Sequence, residues 1–205
     1  MANERGGREG VGVSKKVVSP PTESAGTVKK TAELSAGTVK ETAELSAGRV
    51  KELRMGIEAI DEKYMRMALS EAMEACEAGE VPIGAVIVSK GRVIGRGHNL
   101  TERLHDVTAH AEMMALTAAC NTLGGKYLPE CTIYVTVEPC AMCAGALGWS
   151  HIGRIVYGAS DLKRGYFSHT MARNSVLHPR TIVESGVLED ECQQIVTEFF
   201  KRRRR

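Results

Sequence analysis

The order of segments in this chain predicts an α/β fold, a sheet covered by helices on both faces. Three observations lead there. Stretches with apolar residues at helical spacing alternate with short runs rich in Val and Ile. Hydrophobic residues make up 43% of the 205, enough for an ordinary buried core. Aromatic residues make up 4%, so that core is built mainly from Ala, Val, Ile, Leu and Met.

Composition divides the chain near Gly56. Residues 1–55 are dominated by Gly, Ser, Thr, Lys and Glu, and within them Ser24-Ala25-Gly26-Thr27-Val28-Lys29 recurs from Ser35 and, less perfectly, from Ser46. The spacing is compatible with a helix-like stripe of Val28, Leu34, Val39 and Leu45. Gly26, Gly37 and Gly48 would each weaken such a helix, so the expectation is a repetitive, largely disordered extension rather than a docking arm. Residues 56–205 read as one compact domain.

Within that domain the elements follow in order. Met65, Ala68, Leu69, Ala72, Met73 and Cys76 recur at helical spacing, with Asp61 as the expected N-cap and Gly79 as the stop. Residues 83–89 and 92–97 read as strands joined by Lys90-Gly91, a hairpin signal. An alanine-rich helix is expected over 108–123, closed by Gly124-Gly125. Residues 132–137 alternate like a strand, a short helix begins around Pro139, and residues 154–157 form another strand. A last strand is expected over 181–184, then a helix over 188–201 with Ile195, Val196, Phe199 and Phe200 as its stripe.

Several classes are disfavoured by composition. The net charge of +2 points to no particular partner, although the chain ends in a cationic tip, Lys201-Arg202-Arg203-Arg204-Arg205. Six cysteines, four of them in core-like segments, suggest a reducing compartment. Residues 1–12 hold no apolar run of the export type, and the many Glu in the first part argue against an organelle leader. No stretch approaches the roughly 18 apolar residues of a membrane span. The expectation is a soluble, cytoplasmic protein.

Two short stretches carry the chemistry: His110-Ala111-Glu112, and Pro139-Cys140-Ala141-Met142-Cys143. Cys140 and Cys143 are three residues apart, so on a helix both sulfurs face one side and can grip one ion. At a helix N-terminus the dipole favours their thiolate forms. His110 supplies a third ligand. Three protein ligands are the pattern of catalytic zinc, which keeps a position open for water, whereas structural zinc is closed by four. The nucleophile made there needs a proton carrier, and Glu112, two residues from His110, is of the right type. Alone, the Cys pair also suits a redox pair or half of a zinc ribbon, and His-x-Glu suits an exposed helix start. Together they point to zinc-dependent hydrolysis.

The order H-x-E then P-C-x-x-C resembles that of zinc-dependent nucleobase deaminases. From Glu80 onward the chain resembles bacterial tRNA adenosine deaminases of the cytidine deaminase-like superfamily. The matching stretches are residues 81–86, Gly97-His98-Asn99, His105-Asp106, Thr108 to Glu112, 134–146, 154–159 with Asp161, and Glu198-Phe199-Phe200 followed by basic residues. The resemblance implies a three-layer α/β/α sandwich with a mixed five-stranded sheet. It implies one Zn2+ per subunit on His110, Cys140 and Cys143, with Glu112 as catalytic proton shuttle. It also implies Asn99 at the base, Asp161 near the flipped nucleotide, and the last helix against a tRNA anticodon stem-loop, with Lys201, Arg202 and Arg203 as RNA contacts. A homodimer with the site near its interface is implied too. The chain departs from the family at Gly148-Trp149 and over Lys163 to Phe167 through Leu177 to Pro179.

The implied reaction is hydrolytic deamination of adenosine to inosine at the wobble position. Two alternatives remain at this stage: a deaminase of free bases or nucleosides of the guanine or cytosine type, and a non-catalytic zinc-stabilised binding module. His105, beside Asp106, either orients the ligand helix, lines the pocket or is a satisfied structural side chain.

Overall fold

The computed structural model describes residues 25–169 and 176–204, with side chains from residue 48 onward, to 168 and again over 176–204. The chain divides into two compact units, residues 1–50 and 51–205. A helix, α1 (Ala25–Glu77), includes the repeats, whose proposed apolar stripe lies outside the described side chains.

Downstream come β1 (Gly84–Ser89), β2 (Arg92–His98), α2 (Thr101–Leu104), α3 (Ala111–Leu123), β3 (Cys131–Val137), α4 (Ala141–Trp149), β4 (Arg154–Ala159), α5 (Tyr166–His169), β5 (Ile182–Ser185) and α6 (Glu189–Arg203). The strands form one sheet in the order β2-β1-β3-β4-β5. β1 runs antiparallel to β2 and β3, whereas β3, β4 and β5 are parallel, so the sheet is mixed. The hairpin at Lys90-Gly91 forms as its sequence requires, both residues taking positive φ. The short α2 and α5 carry no apolar period of helical length, which is why pattern alone passes over them.

Side chains alternate across this sheet and make two cores. On one face Ala85, Ile87, Ile133, Val135, Ile155 and Tyr157 meet Ala111, Ala115 and Ala119 of α3 and Ala144 and Leu147 of α4. On the other, Val86, Val88, Tyr134 and Val156 meet Tyr64, Met65 and Ala68 of α1 and Cys192 of α6. The architecture is therefore the expected three-layer α/β/α sandwich. α3 lies unusually close to β2: a Cβ at Gly97 would come within 2.4 Å of the Ala115 nitrogen, and one at Gly95 within 2.4 Å of the Ala115 carbonyl oxygen.

Three local expectations are corrected. Asp61 is no N-cap, because α1 begins far upstream. It is buried, and both its oxygens accept from Arg154, at 2.7 and 2.6 Å, while Tyr134 donates to it at 2.8 Å. The buried stripe of α1 runs through Asp61, Tyr64, Met65, Ala68, Glu71, Ala72 and Ala75, which leaves Met73 57% exposed. On α6 the inward residues are Cys192 and Phe199, and Phe200 points outward. A buried helix face tolerates polar residues that find partners, so apolar spacing alone misplaced both stripes.

Candidate active site

His110 and Cys140 both occupy N-cap positions, of α3 and α4 respectively, with extended backbone before the first helical turn. Each is delivered by a short connection that the sequence prescribes. Asp106 accepts from the Thr108 N–H at 2.8 Å and its hydroxyl at 2.7 Å, an Asx-type turn leading into His110. These bonds hold the Asp106 carboxyl below its ordinary range. His105 ends α2 in the left-handed conformation and is exposed. On the other side, β3 runs out at Val137 and the Glu138-Pro139 step leads straight into Cys140.

The two helix starts bring three ligand atoms together. His110 Nδ1 lies 3.7 Å from Cys140 Sγ and 3.6 Å from Cys143 Sγ, and all three ligand atoms lie within 4.8 Å of one another. With Zn–S near 2.3 Å and Zn–N near 2.0–2.1 Å, tetrahedral ligation places S and N about 3.6 Å apart, so the spacing fits zinc. The electrostatics fit as well. The Cys143 thiol beside Cys140 pulls the Cys140 sulfur far below the usual thiol range against the opposing effect of burial, with His110 assisting. The same pairing, with burial, pushes Cys143 up. The neighbouring Cys140 sulfur raises His110. One sulfur is thus ready as thiolate, and displacing the remaining proton completes the donor set.

Glu112, in the first turn of α3, is 4% exposed. Burial pushes its carboxyl up to about 7; its own backbone N–H works against that shift and the charge at Cys140 adds to it. A carboxyl poised near neutrality both accepts and returns a proton.

The structure places the other expected residues less uniformly. Asn99 is buried, its Nδ2 donating to Glu80 at 3.4 Å and to Thr101 Oγ1 at 3.2 Å. The Leu100 N–H donates to the Ala109 carbonyl at 2.9 Å, which ties this residue's loop to the His110 turn. Asp161 uses Oδ1 to accept from the N–H groups of Lys163 and Arg164, at 2.8 and 3.1 Å. Its loop reaches the ligand turn through a bridge between Cys140 and Gly165. Lys201 and Arg202 are exposed, but Arg203 is engaged within the chain: it donates to the Gly79 carbonyl at 2.9 Å and lies over the Phe199 ring.

Of the buried carboxylates that escaped the sequence reading, two organise loops beside the site. Glu80 accepts from the N–H groups of Arg103 at 2.8 Å and Glu102 at 3.2 Å and from the Thr101 hydroxyl at 3.2 Å, so it caps α2 from outside the helix. Burial opposes its ionisation, yet those N–H donors hold it below the usual range. Glu138, 4% exposed, accepts from Asp161 and Ser168. In sequence the available signal was a lone Glu between the apolar strand that ends at Val137 and Pro139.

Among the described residues no helix is long and apolar enough to cross a membrane. The chain matches a family model described as MafB19-like deaminase over residues 60–204. It is 45% identical over 147 residues to the tRNA-specific adenosine deaminase of Bacillus subtilis (strain 168), covering 71% of this chain and 91% of that one. It is 46% identical to that of Agrobacterium fabrum (strain C58 / ATCC 33970), covering 69% and 94%. A solved structure from a study of A-to-I editing by tRNA:A34 deaminases at the wobble position of transfer RNA superposes with a TM-score of 0.61 at 46% identity, covering 65% of this chain and 98% of that one. With the His110, Cys140 and Cys143 cluster beside a buried Glu112, the chain belongs to the tRNA adenosine deaminases of the cytidine deaminase-like fold.

Proposed function

We propose that this chain converts adenosine to inosine at the wobble position of tRNA by hydrolysis, with one Zn2+ held by His110, Cys140 and Cys143. The observation that carries the reading is the convergence of those three ligands beside a buried carboxyl poised near pH 7. When bound, zinc supplies the Lewis acidity that makes water a nucleophile near neutral pH. Glu112 takes one proton from that water and passes it to the ring nitrogen beside the reacting carbon. It then carries the second proton to the departing amine, so that adenosine and water give inosine and ammonia. Burial of Glu112 excludes bulk water from this transfer.

Asn99, fixed through Nδ2 by Glu80 and Thr101, anchors the base, and Asp161 lies beside the extruded nucleotide. An anticodon loop is already partly unpaired, which lowers the cost of extrusion. Lys201 and Arg202, exposed at the end of α6, are suited to phosphates of the stem, and Lys163 and Arg164 are exposed beside Asp161. Arg203, also exposed, donates to the Gly79 carbonyl and keeps further N–H groups for a phosphate. The chemistry resides in residues 56–205, with residues 1–55 an accessory extension, and the protein works in the cytoplasm.

The same reading extends to a homodimer. On α4, Met142, Gly145, Ala146 and Trp149 share one face, where Trp149 is 83% exposed and a Cβ on Gly145 would meet nothing within 4 Å. That face adjoins the ligand Cys143, so a second copy packed there would wall the site.

The test is to incubate the zinc-loaded protein with adenine-34 tRNA and, separately, with adenine, guanine, cytosine and their nucleosides, measuring inosine and ammonia. Inosine at position 34 is expected. Turnover of free bases alone would remove the tRNA reading.

A further inference from the structure

Glu138 does something that none of the reacting groups explains. Its carboxylate is almost completely buried, and its bonds run to both ends of one loop. Oε2 accepts from the Asp161 N–H at 2.9 Å and the Ser168 hydroxyl at 2.5 Å, and Oε1 accepts from the Ser168 N–H at 2.7 Å. Carboxylate bonds to N–H and O–H donors in a desolvated setting are among the stronger ones, and the buried group is tolerable only while they hold. The backbone around it is laced to the same loop: Glu138 N–H donates to Ala159, Tyr166 N–H to the Pro139 carbonyl at 2.9 Å, and Gly165 N–H to the Asp161 carbonyl at 2.8 Å.

Space is as restrictive as bonding. A Cβ on Gly165 would stand 2.3 Å from the Glu138 carboxyl carbon and 2.5 Å from the Asp161 carbonyl oxygen. The far end of the loop is set by Tyr166 and Phe167, both buried, with Phe167 parallel to Tyr157 at 5.9 Å between ring centres. What stays outside is the tip, Leu162, Lys163 and Arg164, with Asp161 at its base.

We propose that Glu138 is a positioning residue: by bracing residues 161–168 at both ends, it sets where Asp161 and the exposed tip meet the substrate, directly over the turn that carries Cys140. The assignment rests on the tRNA reading for its substrate, but its structural half stands independently. Ser168 closes the brace through its hydroxyl.

The test uses the full-length zinc-loaded protein with an adenine-34 anticodon stem-loop and the variants Glu138→Gln, Ser168→Ala, Ser168→Thr, Asp161→Ala and the Glu138→Gln/Asp161→Ala double. Glu138→Gln and Ser168→Ala are expected to raise KM about tenfold while kcat stays within about twofold and zinc content is unchanged. Ser168→Thr, which keeps the hydroxyl, restores KM. The double variant raises KM no further than the larger single change, because the carboxylate acts through Asp161 and its loop. Amide exchange over residues 161–168 quickens in Glu138→Gln and Ser168→Ala while α3 stays protected. Multiplying effects on KM, a loss of zinc or kcat at constant KM, or unaltered loop exchange would overturn the proposal. If the wild type ignores the RNA, the tRNA reading fails and the exchange measurement decides the brace by itself.

Discussion

The two faces of the sheet handle buried charge in opposite ways. On the α1 side, Asp61, Arg154 and Tyr134 satisfy one another, and Glu184 also accepts from Arg154. Burial and the adjacent Asp61 acceptor push the Tyr134 phenol up, and the Asp61 partner raises Arg154 further, so the phenol stays neutral and the guanidinium charged across the ordinary pH range. On the α3 and α4 side, an imidazole, two thiols and a carboxyl are crowded into a pocket where they perturb each other and where Glu112 is moved to about 7. A closed network, in which each group has its partners, locks the fold. An unbalanced one, short of positive charge, calls for a cation and leaves a proton free to move.

The comparison can be broken most sharply at Glu112. Glu112→Gln is expected to lower kcat by about a thousandfold, in the range for losing a general acid and base, while zinc stoichiometry by mass spectrometry is retained. Equal turnover of variant and wild type would mean that the pocket's poised carboxyl is incidental. On the opposite face, Asp61→Ala leaves Arg154 with Glu184 as its one carboxylate partner and Tyr134 without its acceptor, and is expected to cost about 2 kcal/mol of stability in denaturant unfolding, with kcat per folded molecule unchanged. A fall in kcat instead would show that the two faces are not separable.

Glu80 sharpens the contrast, since it belongs to the locked class yet holds Asn99. Its folded-state pKa lies below the ordinary value, so the ionised carboxylate favours the folded state. That contribution is present above about pH 4.3 and is lost as pH falls through the folded value. Glu80→Gln is expected to cost about 1–2 kcal/mol at pH 7 and to flatten the acid limb of a stability–pH curve. An unaltered acid limb would be evidence against the assignment. The smallest effect is expected on α6: Phe200→Ser, at an outward position, changes stability by less than about 0.5 kcal/mol, whereas Phe199→Ala costs about 3 kcal/mol in thermal unfolding.

The legibility of these features in sequence follows their range. His110, Glu112, Cys140 and Cys143 were readable because each pair lies within one helical turn and only a few side-chain types do this chemistry. The alternation of strands and helices was readable from periodicity, and with it the layered fold. Asp61 was misread because its partner Arg154 is 93 residues away, and nothing near Asp61 distinguishes a buried anchor from a cap. Glu80 and Glu138 went unnoticed for a related reason: both rely on backbone N–H donors, which every sequence possesses and no motif records. The pair Gly148-Trp149 stood out in the sequence as a departure from the family resemblance, not as an exposed α4 face. Its first residue has a packing cause, since a Cβ on Gly148 would strike the Val176 carbonyl oxygen at 1.9 Å.

The bare backbone of β2 at Gly95 and Gly97 lets α3 settle against it with no side chain between. His110 and Glu112 therefore ride on a helix whose height above the sheet is dictated by two hydrogen atoms. Adding one methyl group at position 97 would lift the imidazole and the carboxyl together while Cys140 and Cys143, mounted on α4, stayed behind. The metal's grip could thus be detuned from a strand that contributes no donor to it.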